Sequence, residues 1–415
     1  MWTRLGRRVV GNLSTVSTSV QDFTVLLLGI ALIERSGTKR AQADAFLTWE
    51  QMVAYARATE LDDFRFRGTE RVRRRLAEGG RVTLGTSDSA QILSKQRTYG
   101  LWGLYSAPAK ASGLLEDLDH RLALTPPAHT LIEELLPILM RHEGAIEAIA
   151  QHLDKQASHL RTDGKGTDGT VLKAIAAAIA PLRTRTRALY RDHLLHGGPV
   201  VAADPTGTGR RQVALARILA SEAADRDWSL SHDRVRQWQR AARKMGADGE
   251  DLADHLARIS TAERLIAMAA ALFGFLMQRD GTQLAACAGM ITRQWGSAPR
   301  RVLDMTALRL HPEDLELEPG DRGSAERMLR LAEALIAGDA AAALRMVTDQ
   351  NAAVMARRSK GGPWIEWRQD AVAVRFRDEQ DAPLPDREGI HDFWRHQDYF
   401  IRALRLIGLG LGRPS

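Results

Sequence analysis

The chain reads as mainly α-helical, divided into segments 1–140, 141–320 and 321–415. Three observations predict this class. Apolar side chains recur at helical spacing through the middle of the chain, as in Leu131, Leu135, Ile138 and Leu139, or Ile146, Ile149 and Leu153. Gly/Asp/Thr loops at 162–170 and 197–209 punctuate these runs. Strand-like alternation is confined to short stretches, chiefly residues 364–368 and 371–376, which read as a β-hairpin turning at Gln369-Asp370. An apolar fraction of 44% is enough for a real core.

The elements follow in order. Residues 21–34 form an apolar helix. Thr48 and Gln51 have the spacing of a capping box, which predicts a helix from Thr48 to about Thr59. Residues 69–78 form a strongly basic helix, ended by Gly79-Gly80 because glycine tolerates the left-handed cap. Thr86-Ser87-Asp88-Ser89 is a helix-start signal, and residues 90–105 continue as one long helix. Ser112-Gly113-Leu114-Leu115-Glu116 is a short strand, residues 117–120 a polar loop, and Arg121-Leu122-Ala123-Leu124-Thr125-Pro126 a second strand leading to a helix from Pro127. Residues 304–323, rich in proline and acids, read as a connector between helical blocks. A last helix, about 392–409, carries Phe393, Trp394, Tyr399 and Phe400; it is expected to cover the hairpin, with the remaining aromatics either packed into the body of the helical domain or anchoring a partner.

The succession of helix, short strand, loop, short strand, Thr-Pro and helix, on the residues just quoted, resembles the winged helix-turn-helix family. It places a winged-helix-like domain in residues 1–140 and implies nucleic-acid binding, with residues 90–105 as the recognition helix. The family also includes domains that bind only protein, so that alternative stays open.

Charge points the same way. The chain has a formal charge of +7, which favours polyanionic partners. Between residues 65 and 97 lie nine cations, Arg65, Arg67, Arg71, Arg73, Arg74, Arg75, Arg81, Lys95 and Arg97, against the acids Glu70, Glu78 and Asp88. Arginine's planar fork suits phosphate. Arg65, Arg67, Arg71, Arg73, Arg74 and Arg75 are therefore expected to contact the backbone of duplex DNA, and Gln91, Lys95 and Arg97 to reach phosphates or base edges. The alternative for the cluster is a solvated helix face with internal ion pairs. Residues 99–105 are too apolar for a groove and must be packed.

Arg191-Asp192-His193-Leu194-Leu195-His196 resembles the Arg-x4-His motif of the HEPN ribonucleases, which implies Arg191 and His196 facing a scissile phosphate at a dimer interface. The competing reading is a helix end before Gly197-Gly198. Residues 204–211 lack the P-loop pattern and read as a surface loop. His232 and Asp233, with Arg234, Arg236, Arg240, Arg243 and Lys244, form a second basic helix, read as a solvated face, with an extension of the nucleic-acid surface as the alternative. No set of His, Asp and Glu has metal-ligand spacing, and no nucleophile elbow is present. No catalytic residue, metal or cofactor is expected.

One cysteine, Cys287, excludes a disulfide framework and fits a reducing cytosol. The apolar runs 25–33 and 265–277 fall short of the ~20 residues a membrane span needs. The expected function is a non-enzymatic, cytoplasmic, DNA-binding accessory subunit that joins other proteins, with antiviral defence in a prokaryote as the context by analogy. The alternatives are a HEPN-like ribonuclease and a structural adaptor.

Overall fold

The computed structural model describes residues 1–180, 182–358, 361–376, 384–395 and 398–412. The protein is mainly α-helical, with three short antiparallel strand pairs among the described residues. It forms two compact units, each built from discontinuous stretches: Met1–Val9 with Ala224–Tyr399, and Val10–Ala223 with Phe400–Ser415. Sequence had pointed to three consecutive segments.

In the second of these units the helix Val20–Ser36 is buried at every position from Phe23 to Ile33. The Ser19 side chain accepts from the Asp22 amide at its start, and Gly37, in the left-handed conformation, ends it. It packs against Gln42–Glu60 at Gly29, where a Cβ would lie 2.2 Å from Trp49 Cδ1. Trp49 Nε1 donates to the Val25 carbonyl at 2.9 Å. The Gln42–Glu60 helix starts well before Thr48, so the capping box expected there does not form. Ala43, Phe46 and Leu47 are buried in the same helix, and burying them outweighs the local capping signal. Gln51 holds a strand instead, donating to the Gly85 carbonyl and accepting from its amide, both at 2.8 Å.

The basic helix Thr69–Glu78 forms as expected and ends at Gly79. Strand Arg81–Gly85 follows and pairs with Ala157–Arg161, Val82 opposite Leu160. This pairing ties residues on either side of position 140 together, which is why the unit continues through that expected boundary. After the helix Leu101–Ala111, strands Leu115–Leu118 and Arg121–Leu124 form a hairpin with Leu115 opposite Leu124. Its turn places Asp119 and His120 at φ 48° and 62°. Thr125 Oγ1 donates to the Gly113 carbonyl at 2.8 Å and sets the start of Pro126–Met140.

In the other unit the spine is Ala247–Met277, a 31-residue helix. Leu252, Leu256 and Ile259 carry its buried stripe upstream of the apolar run at 265–277. Among the described residues it is the one helix long and apolar enough to cross a membrane, yet 61% of its most apolar window is buried inside the fold. His232–Arg243 packs beside it, capped by Ser231. Residues 304–323 are not a bare connector. They contain the helix Met305–Leu310 and the turn Pro312–Leu315, and buried Asp314 accepts from Arg8 and Arg258 at 2.7 Å each. Acids that suggested a connector are thus ion-pair partners of half-buried arginines.

The expected C-terminal hairpin is present, with Ile365–Arg368 paired to Ala371–Val374 and the turn at Gln369-Asp370. Its cover differs from expectation. Trp367 Nε1 donates to Thr348 Oγ1 at 3.0 Å, the Trp364 ring meets Phe273, and the Leu284 amide donates to the Asp370 carbonyl at 2.7 Å. Residues 392–395 are not helical, and the last helix is Ile401–Leu411, a member of the other unit. Tyr399 and Phe400 both have positive φ, 50° and 64°, which bars a helix from running through them. Trp394 packs on the His232 ring at 5.0 Å and on Tyr399 at 5.8 Å. Tyr399 and Phe400 are buried, while Phe393 and Trp394 are half-buried.

Candidate nucleic-acid interface

Residues 87–105, expected as one long helix, form a looped segment at 87–95 and two helices, Gln96–Tyr99 and Leu101–Ala111. The break has a local cause. Lys95 sits at φ 52°. Gln96 Oε1 accepts from the Ile92 amide at 3.1 Å, while its Nε2 donates to Glu50 Oε2 at 2.8 Å. Glu50 Oε1 accepts from the Leu101 amide at 2.7 Å, so one buried carboxyl anchors both short helices. Burial pushes Glu50 up to about 7, against the opposing effect of these two bonds.

The cations of this region fall into two groups. Arg71 and Arg75 point inward and staple the basic helix to the loop. Arg71 donates to the Gln91 carbonyl at 3.2 Å and to Ser94 Oγ at 2.8 Å. Arg75 donates to the Ala90 carbonyl at 2.8 Å, to that of Gln91 at 2.9 Å, and to that of Ser89. Gln91 is committed as well: its amide donates to the Thr86 carbonyl and accepts from the Gln96 amide, both at 2.9 Å. These are scaffold roles, invisible in a count of charges.

The other group is exposed: Arg65, Arg67, Arg73, Arg74, Arg81, Lys95 and Arg97. Their tethers are modest. Arg73 lies over the Phe64 ring at 4.4 Å, Arg74 is 3.8 Å from Glu78, and Arg97 is 3.8 Å from Asp44. Arg65 is held more firmly, its Nε donating to Asp63 Oδ1 at 2.9 Å. Burial opposes the charge on Asp63, yet the hydrogen bonds from Arg65 and Arg57 hold its pKa down at about 2. Arg97 also borders an open groove of 840 Å³, lined by Lys39, Trp102, Lys110, His120 and Arg121 among others. Lys110 is paired there with Asp117 at 2.8 Å.

The inward role of Arg75 makes a specific prediction. Arg75→Ala removes the donors to three carbonyls and should cost about 1–3 kcal/mol. Amide exchange in residues 89–96 should accelerate in this variant. Unchanged exchange there would show that the loop holds without it.

Elsewhere in the same unit, Arg191–Leu195 forms a single π-helical turn, and the His196 amide donates to the Arg191 carbonyl at 2.9 Å. Arg191 and His196 both line one cavity. Among the described residues no group of three His, Cys, Asp or Glu side chains is placed to hold a metal ion. No family model matches the chain, and neither the curated proteins nor the solved structures yield a match.

Proposed function

We propose that this protein binds duplex DNA as a non-enzymatic partner, through the surface formed by the Thr69–Glu78 helix and the 87–97 segment. The observation that carries this reading is the division of labour among the cations. Arg71 and Arg75 hold the loop against the helix, which leaves Arg67, Arg73, Arg74, Lys95 and Arg97 exposed on a surface set in advance. Such preorganisation lowers the entropy lost on binding. Phosphates take the charge and release counterions. In chain order the Leu115–Leu118 and Arg121–Leu124 hairpin follows the two short helices, and Arg121, beside its turn, is exposed.

The test is fluorescence anisotropy with a short labelled duplex. The logarithm of the binding constant should fall linearly with the logarithm of salt concentration, with a slope of about −0.9 for each phosphate contacted. The triple variant Arg73→Glu, Arg74→Glu, Lys95→Glu should lose binding while melting as the parent does, because Arg71 and Arg75 are kept. Equal affinity of this variant and the parent at low salt would end the proposal.

A further inference from the structure

The cavity that Arg191 and His196 share lies within the Val10–Ala223 unit and its helix Ile401–Leu411. Its volume is 290 Å³, the space of about ten waters in the liquid. Leu195, Leu219, Leu404 and Leu409 supply an apolar wall. The polar side chains facing it are Arg191, His196, Arg217 and Arg405, and no carboxylate is among the described residues that line it. Two of these, Arg191 and Arg217, are cations beside an apolar hollow, and a counter-charge between them would relieve their mutual repulsion.

Three further features mark a built site. Arg191–Leu195 is a π-turn, a distortion that recurs at functional positions and here brings residues five apart to one cavity. Arg405 is buried, and its Nη2 donates to the Glu222 carbonyl at 3.3 Å, which fixes its guanidinium. Burial lowers the His196 pKa; Asp192, 3.8 Å away and exposed, opposes this, and the nearby charges of Arg191 and Arg217 reinforce it.

We propose that this cavity binds a small organic anion with an apolar body, its acidic head between Arg191, His196 and Arg217 and its chain along the four leucines. A medium-chain carboxylate and an alkyl phosphate monoester share this chemistry. Arginine takes either head through paired hydrogen bonds, and the leucines reward a hydrocarbon tail and not a sugar or a peptide. The site is separate from the basic surface assigned to DNA, and the two proposals stand or fall independently.

Isothermal titration calorimetry on the full chain provides the test, with decanoate and octyl phosphate as probes and decanol and decylammonium as controls. At least one acid should bind saturably at one site and raise the melting temperature, and the better of the two identifies the head group. Decanol should bind weakly and decylammonium not at all. Arg217→Glu, at an exposed position, should weaken the acid about tenfold or more. Ala220→Phe, which fills the cavity mouth, should do the same without reversing charge. Two results would overturn the proposal: no saturable binding of either acid, or affinity for acid, alcohol and amine that is alike and unaffected by Arg217→Glu.

Discussion

Replacing Arg57 with alanine is expected to destabilise the Val10–Ala223 unit by about 3–5 kcal/mol. The Arg57 side chain is 3% exposed and sits between two carboxylates, with Nη1 3.0 Å from Asp22 and Nη2 2.8 Å from Asp63. Nη2 also donates to the Arg65 carbonyl at 2.9 Å, and the guanidinium lies over the Phe66 ring. Truncation leaves two acids in a half-buried setting without their common counter-ion, which is the costly way to break such a pair. Lysine would not rescue, since one ammonium cannot serve three acceptors set in a fork. Urea denaturation of the parent, Arg57→Ala and Arg57→Lys measures the effect, and a loss below 1 kcal/mol in both variants would show that water replaces the guanidinium. The same change should weaken the proposed DNA binding indirectly, because Arg57 and Arg65 both bond Asp63 at the start of the basic segment.

The second large effect is a dependence of stability on pH, centred on Glu263 in the other unit. Its carboxyl is buried, accepting from the Tyr399 hydroxyl at 2.5 Å and from the Arg395 amide at 3.1 Å. Burial raises its pKa to about 8, against the pull of those two bonds. In the unfolded chain it titrates near the ordinary glutamate value, about 4.3. The folded form therefore holds a proton that the unfolded form releases. The stabilisation is complete below the unfolded value and is lost as pH rises through the folded value of about 8. Each pH unit inside that window costs about 1.4 kcal/mol, several kcal/mol across the whole of it. His232, close by against Trp394, acts with the opposite sign: burial and then Arg264 hold it down at about 3 in the folded state, so it offsets the Glu263 effect up to its unfolded value of about 6.5 and leaves it unopposed above that. Glu50, raised to about 7, acts with the same sign but in the other unit. Thermal melts from pH 6.5 to 9 should show falling stability, and Glu263→Gln should flatten the part assigned to its unit. A parent whose stability is level over this range would refute the assignment.

Much of the helical content was legible in the sequence because helical packing is local in its signal. The runs at 21–34 and 69–78 needed only apolar spacing, charge and a closing glycine, and the hairpin at 365–374 only alternation around a polar turn. What escaped was set by contacts distant along the chain. Strand Arg81–Gly85 exists because it meets Ala157–Arg161, a partner no local pattern announces. The segment 87–105 has helix-forming residues, yet Glu50 and Gln96 bind its backbone and divide it. The basic surface was visible as composition. Its sorting into stapling and exposed arginines was not, since Arg71, Arg73, Arg74 and Arg75 look alike until their partners are placed. The cavity at Arg191 and His196 needed a helix some two hundred residues further on, and only the spacing of that one pair hinted at it.

The way the chain divides its residues between units bears on how it is made. Helix Ile401–Leu411 buries Ile401, Leu404 and Ile407 against the helix Thr208–Ser221, the π-turn and the helix Val20–Ser36. All three of those elements leave the ribosome long before it does. At translation rates of about 5–20 residues per second, the wait between residues 223 and 411 is on the order of ten seconds or more. During that interval Leu219, buried in the finished protein and lining one cavity with Leu404, lacks the helix that closes over it. The nascent chain thus carries an apolar hollow through nearly half of its synthesis, of the kind that holding chaperones grip, until the helix Ile401–Leu411 arrives.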